Sequence, residues 1–441
     1  MKNYIRILGW SIIVALGGFL FGFDTAVISG VEKTIQSIFS LTSVEHGFTI
    51  SSALIGTVLG AFWASKPVDK YGRRPVLFVI ALVYLFSAIG CAFAFNALSL
   101  IIFRLIGGLG VGASSVVAPM YISEVAPAKV RGQMTAIFQI NVIFGILMAY
   151  VSNYFLYDLC DYSWRLMLGV AGIPALAYFC LLFLVPESPR FLVMKNKIEE
   201  AKDVLAKIDD TQIDEMVDMM QKQISPNAHL NGTLFTKANK KPIIVAFLVA
   251  MFNQFSGINA ILYYAPRIFE QSGLSSSDSL LQSVAIGIMN LVFTFVGFLL
   301  IDKVGRRKLL MFGSFGMGCC LSIVSYMFFT QSFAGMFLLV TILFYIAFFG
   351  MSTGAVIWVL ISEVFPNSVR GKGQSLGSLT HWFFAALITF CFPVIAENGG
   401  EGLAFTFGFF SVMMLLQLLA AWLYFPETKG KSLEELGEGL S

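Results

Sequence analysis

Two charged residues lie inside long apolar stretches of this sequence. Asp24 lies within residues 21–30 near the end of the first apolar stretch, and Arg104 interrupts a later one. A charged group at membrane depth costs about 3 kcal/mol, so it needs a partner, a proton or water. Paired with Arg104, Asp24 stays ionised, whereas alone in an apolar pocket it binds a proton. The pair is therefore either a static ion pair or a proton carrier that alternates between these states.

Amide and aromatic side chains form a second set of polar groups within apolar stretches. Amides donate and accept hydrogen bonds, and aromatic rings cover apolar faces, so the set suits a ligand with many hydroxyls. For each amide, the alternative is hydrogen bonding between helices, which membrane bundles use routinely. The set comprises Gln139, Asn141, Asn253, Gln254, Asn259, Tyr263, Asn290, Trp358, His381 and Trp382.

The composition indicates that lipid surrounds most of the chain. Of 441 residues, 57% are hydrophobic and 12% charged, against about 25% charged in soluble domains. One crossing of a bilayer needs about 20 apolar residues as a helix. The sequence predicts an all-α membrane protein with about twelve such helices, here called segments one to twelve: 7–30, 48–66, 75–95, 98–122, 132–157, 166–185, 242–270, 280–301, 308–329, 334–361, 373–396 and 403–425.

Lys and Arg are strongly biased to one side of the predicted membrane. If both termini lie inside, all but four of the 29 Lys and Arg residues fall in cytoplasmic loops or tails. The exceptions are Lys33, Arg104, Arg165 and Arg267. The positive-inside rule then places both termini in the cytoplasm of a cell (inner) membrane. The net charge of +3 follows from this bias and gives no reason to expect a nucleic-acid partner.

Three short motifs occur twice, in the same order and at the same places relative to the segments. They are Asp-Lys-X-Gly-Arg-Arg at 69–74 and 302–307, Ser-Glu-Val-X-Pro at 123–127 and 362–366, and Pro-Glu-(Ser/Thr) at 186–188 and 426–428. They predict a duplicated six-helix unit, with halves at 1–185 and 242–441 and a short cytoplasmic helical linker at 186–241. Arg and carboxylate side chains form bidentate pairs, so the motifs predict a cytoplasmic gate, the alternative being positive-inside signals alone. The gate residues are Asp69, Arg73, Arg74, Glu124, Arg131, Glu187 and Arg190, with Asp302, Arg306, Arg307, Glu363, Arg370 and Glu427.

Enzyme chemistry is not expected at membrane depth. The sequence has no nucleophile–base arrangement, no phosphate-binding loop and no paired catalytic carboxylates there. Its six cysteines lack metal-ligand spacing, so no metal or other cofactor is expected.

The chain resembles the sugar porter family of the major facilitator superfamily, in particular its bacterial xylose–proton and glucose-carrying members. The resemblance covers residues 12–433, and its motifs are highly specific in combination. It is carried by the repeated Asp-(Lys)-(Tyr/Val)-Gly-Arg-Arg loops at 69–74 and 302–307, Pro-Glu-Ser-Pro-Arg at 186–190, Pro-Glu-Thr-Lys-Gly at 426–430, residues 104–112 and residues 253–259.

The resemblance implies proton-coupled, inward transport of a neutral pentose or hexose by a monomer with alternating access. Proton-coupled members carry Asp at the position of Asp24, whereas animal glucose facilitators carry Asn. The alternatives are a passive facilitator and, from another class, a transporter-like sugar sensor. The positions that match family sugar ligands are Phe21, Gln139, Asn253, Gln254, Asn259, Tyr263, Asn290, Trp358, His381 and Trp382, but not Asn141.

Three departures from the family pattern leave the identity of the sugar open. Asn253 replaces the usual Gln, and His381 replaces the usual Gln or Asn. His381 is either a neutral hydrogen-bonding group or a titrating one. Ala355 follows Gly354 where many relatives have Pro, so a milder break is expected in segment ten, with Gly350 and Gly354 as its candidate positions.

Overall fold

The computed structural model describes residues 2–127, 130–208, 213–224, 233–237, 239–333, 336–366 and 369–429, and within them all regular secondary structure is helical. Within these ranges, twelve helical stretches are long and apolar enough to cross a membrane. Each overlaps one predicted segment, so the segment names are kept. They are Tyr4–Gly30, Ser43–Trp63, Arg73–Ala92, Ala97–Val125, Arg131–Leu156, Ser163–Leu184, Lys240–Gln271, Ser276–Val304, Arg306–Thr330, Phe337–Glu363, Arg370–Ala396 and Gly399–Leu423.

Four segments are made of more than one helix. Segment one is Lys2–Val27 followed by the 3-10 helix Ile28–Gly30. Segment six comprises Ser163–Gly169, Gly172–Leu181 and the 3-10 helix Leu182–Leu184. Segments seven and ten are Lys240–Phe255 with Ile258–Gln271, and Phe337–Met351 with Thr353–Glu363. Short helices between segments are Glu32–Ile38, Ser65–Tyr71, Pro189–Met194, Ile198–Ile208 and Ile213–Ile224.

The linker helices are amphipathic. Ile198–Ile208 buries Ala201, Val204, Leu205 and Ile208, which recur at helical spacing. These residues join the same apolar core as parts of segments one, three, four, five and six. Within the linker predicted at 186–241, the structure describes the helices Pro189–Met194, Ile198–Ile208 and Ile213–Ile224 and a non-helical stretch at 233–237. Residues 209–212, 225–232 and 238 lie outside the described residues, as does the tail from 430.

The chain forms two compact units. Unit 1 consists of Met1–Thr25, Ile55–Ala149 and Cys160–Leu230. Unit 2 consists of Ala26–Leu54, Tyr150–Leu159 and Asn231–Ser441. The two units therefore do not coincide with the two sequence repeats. The junction of segments one and two and the end of segment five belong to the same unit as the second repeat. Within unit 2, the Tyr150 hydroxyl donates to the Leu262 carbonyl over 2.7 Å, which links the end of segment five to segment seven.

A glycine with positive φ begins the third segment of each repeat. Gly72 and Gly305 both have φ of 101°, a conformation that favours glycine. A Cβ at Gly72 would collide with the Glu187 carboxylate, and one at Gly305 with that of Glu427. Glycine therefore lets each carboxylate reach the start of the following helix.

Candidate functional site

Asp24 and Arg104 lie side by side within unit 1. Arg104 Nη1 is 3.7 Å from Asp24 Oδ1, and the Arg104 side chain is 1% exposed while that of Asp24 is 20% exposed. The distance suits an ion pair but exceeds that of a hydrogen bond. None of the three guanidinium nitrogens is hydrogen-bonded within the described residues. The geometry is thus a loosely held carboxylate beside a deeply buried cation.

Segment three positions the two charged segments. The Tyr84 hydroxyl donates to the Gly17 carbonyl of segment one over 3.3 Å. The Ser87 hydroxyl donates to the carbonyl of Phe103 in segment four over 2.8 Å. Phe103 directly precedes Arg104, so one helix fixes the backbone near both members of the ion pair.

A hydrogen-bonded amide cluster lies within unit 2, formed by Asn253, Gln254, Asn259 and His381. Gln254 Nε2 donates to Asn253 Oδ1 over 3.0 Å and lies 3.1 Å from both ring nitrogens of His381. Gln254 Oε1 accepts from Asn259 Nδ2 over 2.8 Å. Because Gln254 contacts all three other members, it holds their donors and acceptors in a fixed arrangement.

Aromatic rings border the amide cluster at His381. The ring centroid of Trp358 is 4.9 Å from that of His381, and the centroid of Trp382 is 4.8 Å away with the rings edge to face. Segments seven, ten and eleven therefore bring amides, an imidazole and two indoles together. This combination supplies two-way hydrogen bonding beside flat apolar surfaces.

Segments seven and ten are both broken near the amide cluster. Segment seven breaks at Gly257, which has φ of 86°. Segment ten breaks at Ser352, which has φ of −120° and ψ of −94° and lies between the expected positions Gly350 and Gly354. The Tyr345 hydroxyl donates to the Ser256 carbonyl over 2.9 Å, so a side chain of segment ten satisfies a carbonyl freed by the break in segment seven.

We expect Gly257→Ala to destabilise the protein. Alanine costs about 1–2 kcal/mol in the left-handed conformation, and its Cβ would collide with the Phe410 ring. Overpacking adds about 1–3 kcal/mol. The measurement is thermal unfolding of the purified protein, with Gly371→Ala as the matched control because a Cβ there meets nothing within 4 Å. Equal melting temperatures for the two variants would contradict the requirement for glycine at 257.

The remaining candidate sugar ligands are distributed over both units. Within unit 2, Tyr263 is buried, and buried Asn290 accepts at Oδ1 from Thr294 Oγ1 over 3.4 Å. Within unit 1, the Phe21 side chain packs on the apolar core of that unit and Gln139 is half-buried on segment five. Asn141, which matches no family ligand, donates to the Ile137 carbonyl of its own helix over 2.9 Å.

The repeated motifs form the same constellation in each repeat. The first cluster joins Arg73 to Glu124 by two hydrogen bonds of 2.8 and 2.9 Å. The second cluster joins Arg306 to Glu363 by two hydrogen bonds of 2.9 and 3.1 Å. Both are bidentate Arg–carboxylate pairs, the strong form of this contact. Each pair joins segments of one repeat.

In each cluster, a second carboxylate caps the N-terminus of the helix that begins with the motif arginine, Arg73 or Arg306. Glu187 accepts from the backbone amides of Arg73 and Arg74, and Glu427 accepts from those of Arg306 and Arg307. Burial raises the pKa of the Glu187 carboxyl, while these amides and that of Ser188 act to lower it. The carboxylates therefore occupy the positive ends of helices.

Sequence reasoning missed the hydroxyls that complete these clusters. Ser188 Oγ donates to Glu124 over 2.5 Å, and Thr428 Oγ1 donates to Glu363 over 2.6 Å. The signal was present, because a hydroxyl residue follows Pro-Glu in both repeats. Among the other predicted gate residues, Asp302 accepts from Arg306 over 2.9 Å and Arg307 binds carbonyls of segment twelve. Arg370 is half-buried, and Asp69, Arg131 and Arg190 are exposed.

Comparison with known proteins gives consistent matches over nearly the whole chain. Residues 10–440 match the family model described as "Sugar (and other) transporter". The chain is 36% identical to the D-xylose-proton symporter of Escherichia coli, over 98% of this chain and 96% of that protein. It is 36% identical to a glucose transporter of Staphylococcus epidermidis, over 99% and 96%. It is 34% identical to the arabinose-proton symporter of Bacillus subtilis, over 97% and 95%.

Solved structures give the same result for the fold. The inward-open xylose transporter of Escherichia coli matches with a TM-score of 0.87 and 34% identity, over 98% of this chain and 99% of that chain. The major facilitator proton:xylose symporter bound to 6-bromo-6-deoxy-D-glucose matches with a TM-score of 0.83 and 34% identity, over all of both chains. The fold is therefore that of a multi-pass membrane transporter of the major facilitator superfamily.

Within that class, the chain belongs to the sugar transporter family. The resemblance to sugar porters, the all-helical twelve-segment fold and the exclusion of enzyme activity are confirmed by these matches. Sugar transport is the general function that they support.

Proposed function

We propose that this protein is a proton-coupled monosaccharide symporter that carries a neutral pentose or hexose inward by alternating access. Relatives at 34–36% identity are named as xylose-proton and arabinose-proton symporters and as a glucose transporter. The observation that carries the proposal for this chain is the pair of Asp24 and Arg104 at 3.7 Å. A passive facilitator of the same fold needs no titratable carboxylate beside a buried cation.

The looseness of the ion pair supports a proton-carrying role for Asp24. A carboxylate held by charge alone can exchange its cation for a proton without giving up a hydrogen bond to that cation. Its 20% exposure gives a proton access, whereas Arg104 is 1% exposed and keeps its charge. Asp24 is therefore the group that binds and releases the proton, and Arg104 stabilises the ionised form.

The amide cluster supports a sugar as the cargo. Gln254, Asn259 and His381 present donors and acceptors next to two indole rings, which suits hydroxyls beside an apolar ring face. The breaks at Gly257 and Ser352 give segments seven and ten local freedom to bend around a bound molecule. Phe21 and Gln139 of unit 1 are proposed as further ligands from the family resemblance.

The cycle begins when Asp24 takes a proton from outside and leaves Arg104, and sugar binds the amide cluster. Segments seven and ten then close over the sugar, and the two repeated Arg–Glu clusters rearrange as the cytoplasmic side opens. Sugar and proton leave, and the Asp24–Arg104 pair forms again. We place both termini in the cytoplasm of the cell membrane and propose a monomer as the working unit.

Uptake by proteoliposomes with an imposed pH gradient tests this function. Xylose, glucose, arabinose, galactose and fructose are offered singly as labelled substrates. We expect at least one sugar to accumulate inside above its outside concentration when the outside is acidic, and the accumulation to collapse when a protonophore is added. Equilibration of every transported sugar without accumulation would identify a passive facilitator instead.

A further inference from the structure

Six polar residues that have no part in the cycle above form a compact group within unit 2, here called the Glu32 cluster. Glu32, Lys33 and Gln36 follow segment one, and His46 lies in the first turn of segment two. Arg267 and Glu270 lie at the end of segment seven. The cluster therefore links parts of the chain that are about 230 residues apart and belong to different sequence repeats.

Glu32 is the centre of this group. Its Oε1 accepts from Arg267 Nε over 2.9 Å, and its Oε2 lies 2.7 Å from His46 Nε2. Arg267 also donates to Gln36, and Lys33 pairs with Glu270. The side chains of Glu32 and His46 are 2% and 0% exposed, so the carboxylate exchanges water for these two partners.

The charged side chains of the cluster are matched in pairs, Glu32 with Arg267 and Lys33 with Glu270. His46 Nδ1 has no hydrogen-bond partner in the described residues, and the Tyr264 ring packs against the imidazole. Removing Arg267 or Glu32 would leave the other as a buried ion without its counter-charge, which is strongly destabilising.

The cluster lies where a transporter with the proposed orientation has to open to the outside. Along the chain, segment two begins at Ser43, close to His46, and ends at Trp63, and the short helix Ser65–Tyr71 then leads to Arg73 of the first Arg–Glu cluster. A cavity of about 350 Å³ is lined by members of both ion pairs, including Glu32, Lys33, Arg267 and Glu270. Because these four charged side chains line the cavity, their charges can separate into water when the segments part.

We propose that the Glu32 cluster is an ionic latch that holds the outer side closed and sets how often the transporter opens outward. Its central contact, Glu32 with Arg267, forms when segment seven meets the junction of segments one and two, and it breaks when they part. His46 and Gln36 position the two charged partners. This inference rests on the alternating-access mechanism proposed above and assigns a role to residues that bind neither sugar nor the transported proton.

Hydrogen–deuterium exchange of the full-length protein tests the latch with Glu32→Gln. The amide keeps the shape and the contact with His46 but removes the charge that holds Arg267. We expect about tenfold faster exchange in peptides covering 43–54 and 258–271, which corresponds to about 1.4 kcal/mol in opening free energy. Peptides covering 118–125 and 356–363, at the repeated Arg–Glu clusters, should exchange more slowly because opening one side closes the other.

Faster exchange in the peptides at the Glu32 cluster, together with slower exchange in those at the Arg–Glu clusters, distinguishes a latch from general destabilisation. Faster exchange at both ends, or no change at either, would overturn the proposal. Glu45→Gln is the matched control, because Glu45 is adjacent to His46 but its carboxylate bonds only Thr42 in the contacts described. If Glu32→Gln does not fold, Glu270→Gln breaks the exposed pair alone and should shift both ends in the same directions by a smaller factor.

The exchange experiment needs neither sugar nor a pH gradient. A wild-type protein that concentrates sugar while Glu32→Gln leaves exchange unchanged would refute the latch and retain the proposed function. A wild-type protein that fails to concentrate sugar would refute proton coupling, whatever the exchange pattern of the variant.

Discussion

Replacing Asp24 by Asn should abolish uphill sugar accumulation while sugar exchange across the membrane continues. Asn has the same shape and can still contact Arg104, but it cannot take up a proton. One proton moving through 100 mV supplies about 2.3 kcal/mol, which sustains roughly 50-fold accumulation of a neutral sugar. The expected accumulation ratio of the variant is therefore about one under the same gradient.

The measurement compares uphill uptake with exchange of labelled for unlabelled sugar in the same vesicles. Asp161→Asn is the control, because this exposed loop carboxylate undergoes the same chemical change outside the segments. A variant at Asp24 that still concentrates sugar would show that another group carries the proton. Loss of both exchange and accumulation would show that Asp24 is needed for sugar translocation itself.

Replacing Gln254 by Ala should weaken sugar binding strongly. The amide bonds Asn253, Asn259 and His381 and is proposed to bond the sugar with them, so its removal leaves sugar hydroxyls unpaired in a buried site. Each buried group left unsatisfied in the complex costs about 1–3 kcal/mol, which corresponds to roughly a 5- to 150-fold higher KM. The measurement is the concentration dependence of the initial rate of sugar uptake.

Asn141→Ala is the matched control for this prediction. Its amide donates to a carbonyl of its own helix, so its loss should leave the KM for sugar nearly unchanged. A similar rise in KM for both variants would indicate a general packing defect. An unchanged KM for Gln254→Ala would exclude the amide cluster as the sugar site.

The segments and the duplicated motifs could be predicted from sequence because their signals are local. A run of about 20 apolar residues identifies a crossing without knowledge of its neighbours. Recurrence of Gly-Arg-Arg and of Pro-Glu likewise indicated which residues have equivalent places. The pairing of Asp24 with Arg104 was expected because each is the residue whose burial in its own apolar segment costs the most free energy.

Features that depend on contacts between distant helices could not be predicted in this way. Arg267 looked like an ordinary charge at the edge of a loop, and only the fold brings it to Glu32. The break in segment ten was expected at Gly350 or Gly354, yet the backbone departs from helix at Ser352 between them. Composition identifies residues that permit a break but does not fix which of several neighbouring residues leaves the helix.

The central claim is that sugar and proton cross together through a carboxylate at Asp24. Its most direct test measures both fluxes in one proteoliposome population that is lightly buffered and carries no initial gradient. Adding sugar outside should raise the outside pH in a fixed ratio to the sugar taken up, and the Asp24→Asn protein should take up sugar without this rise. Wild-type sugar entry without sugar-dependent proton movement would contradict the claim.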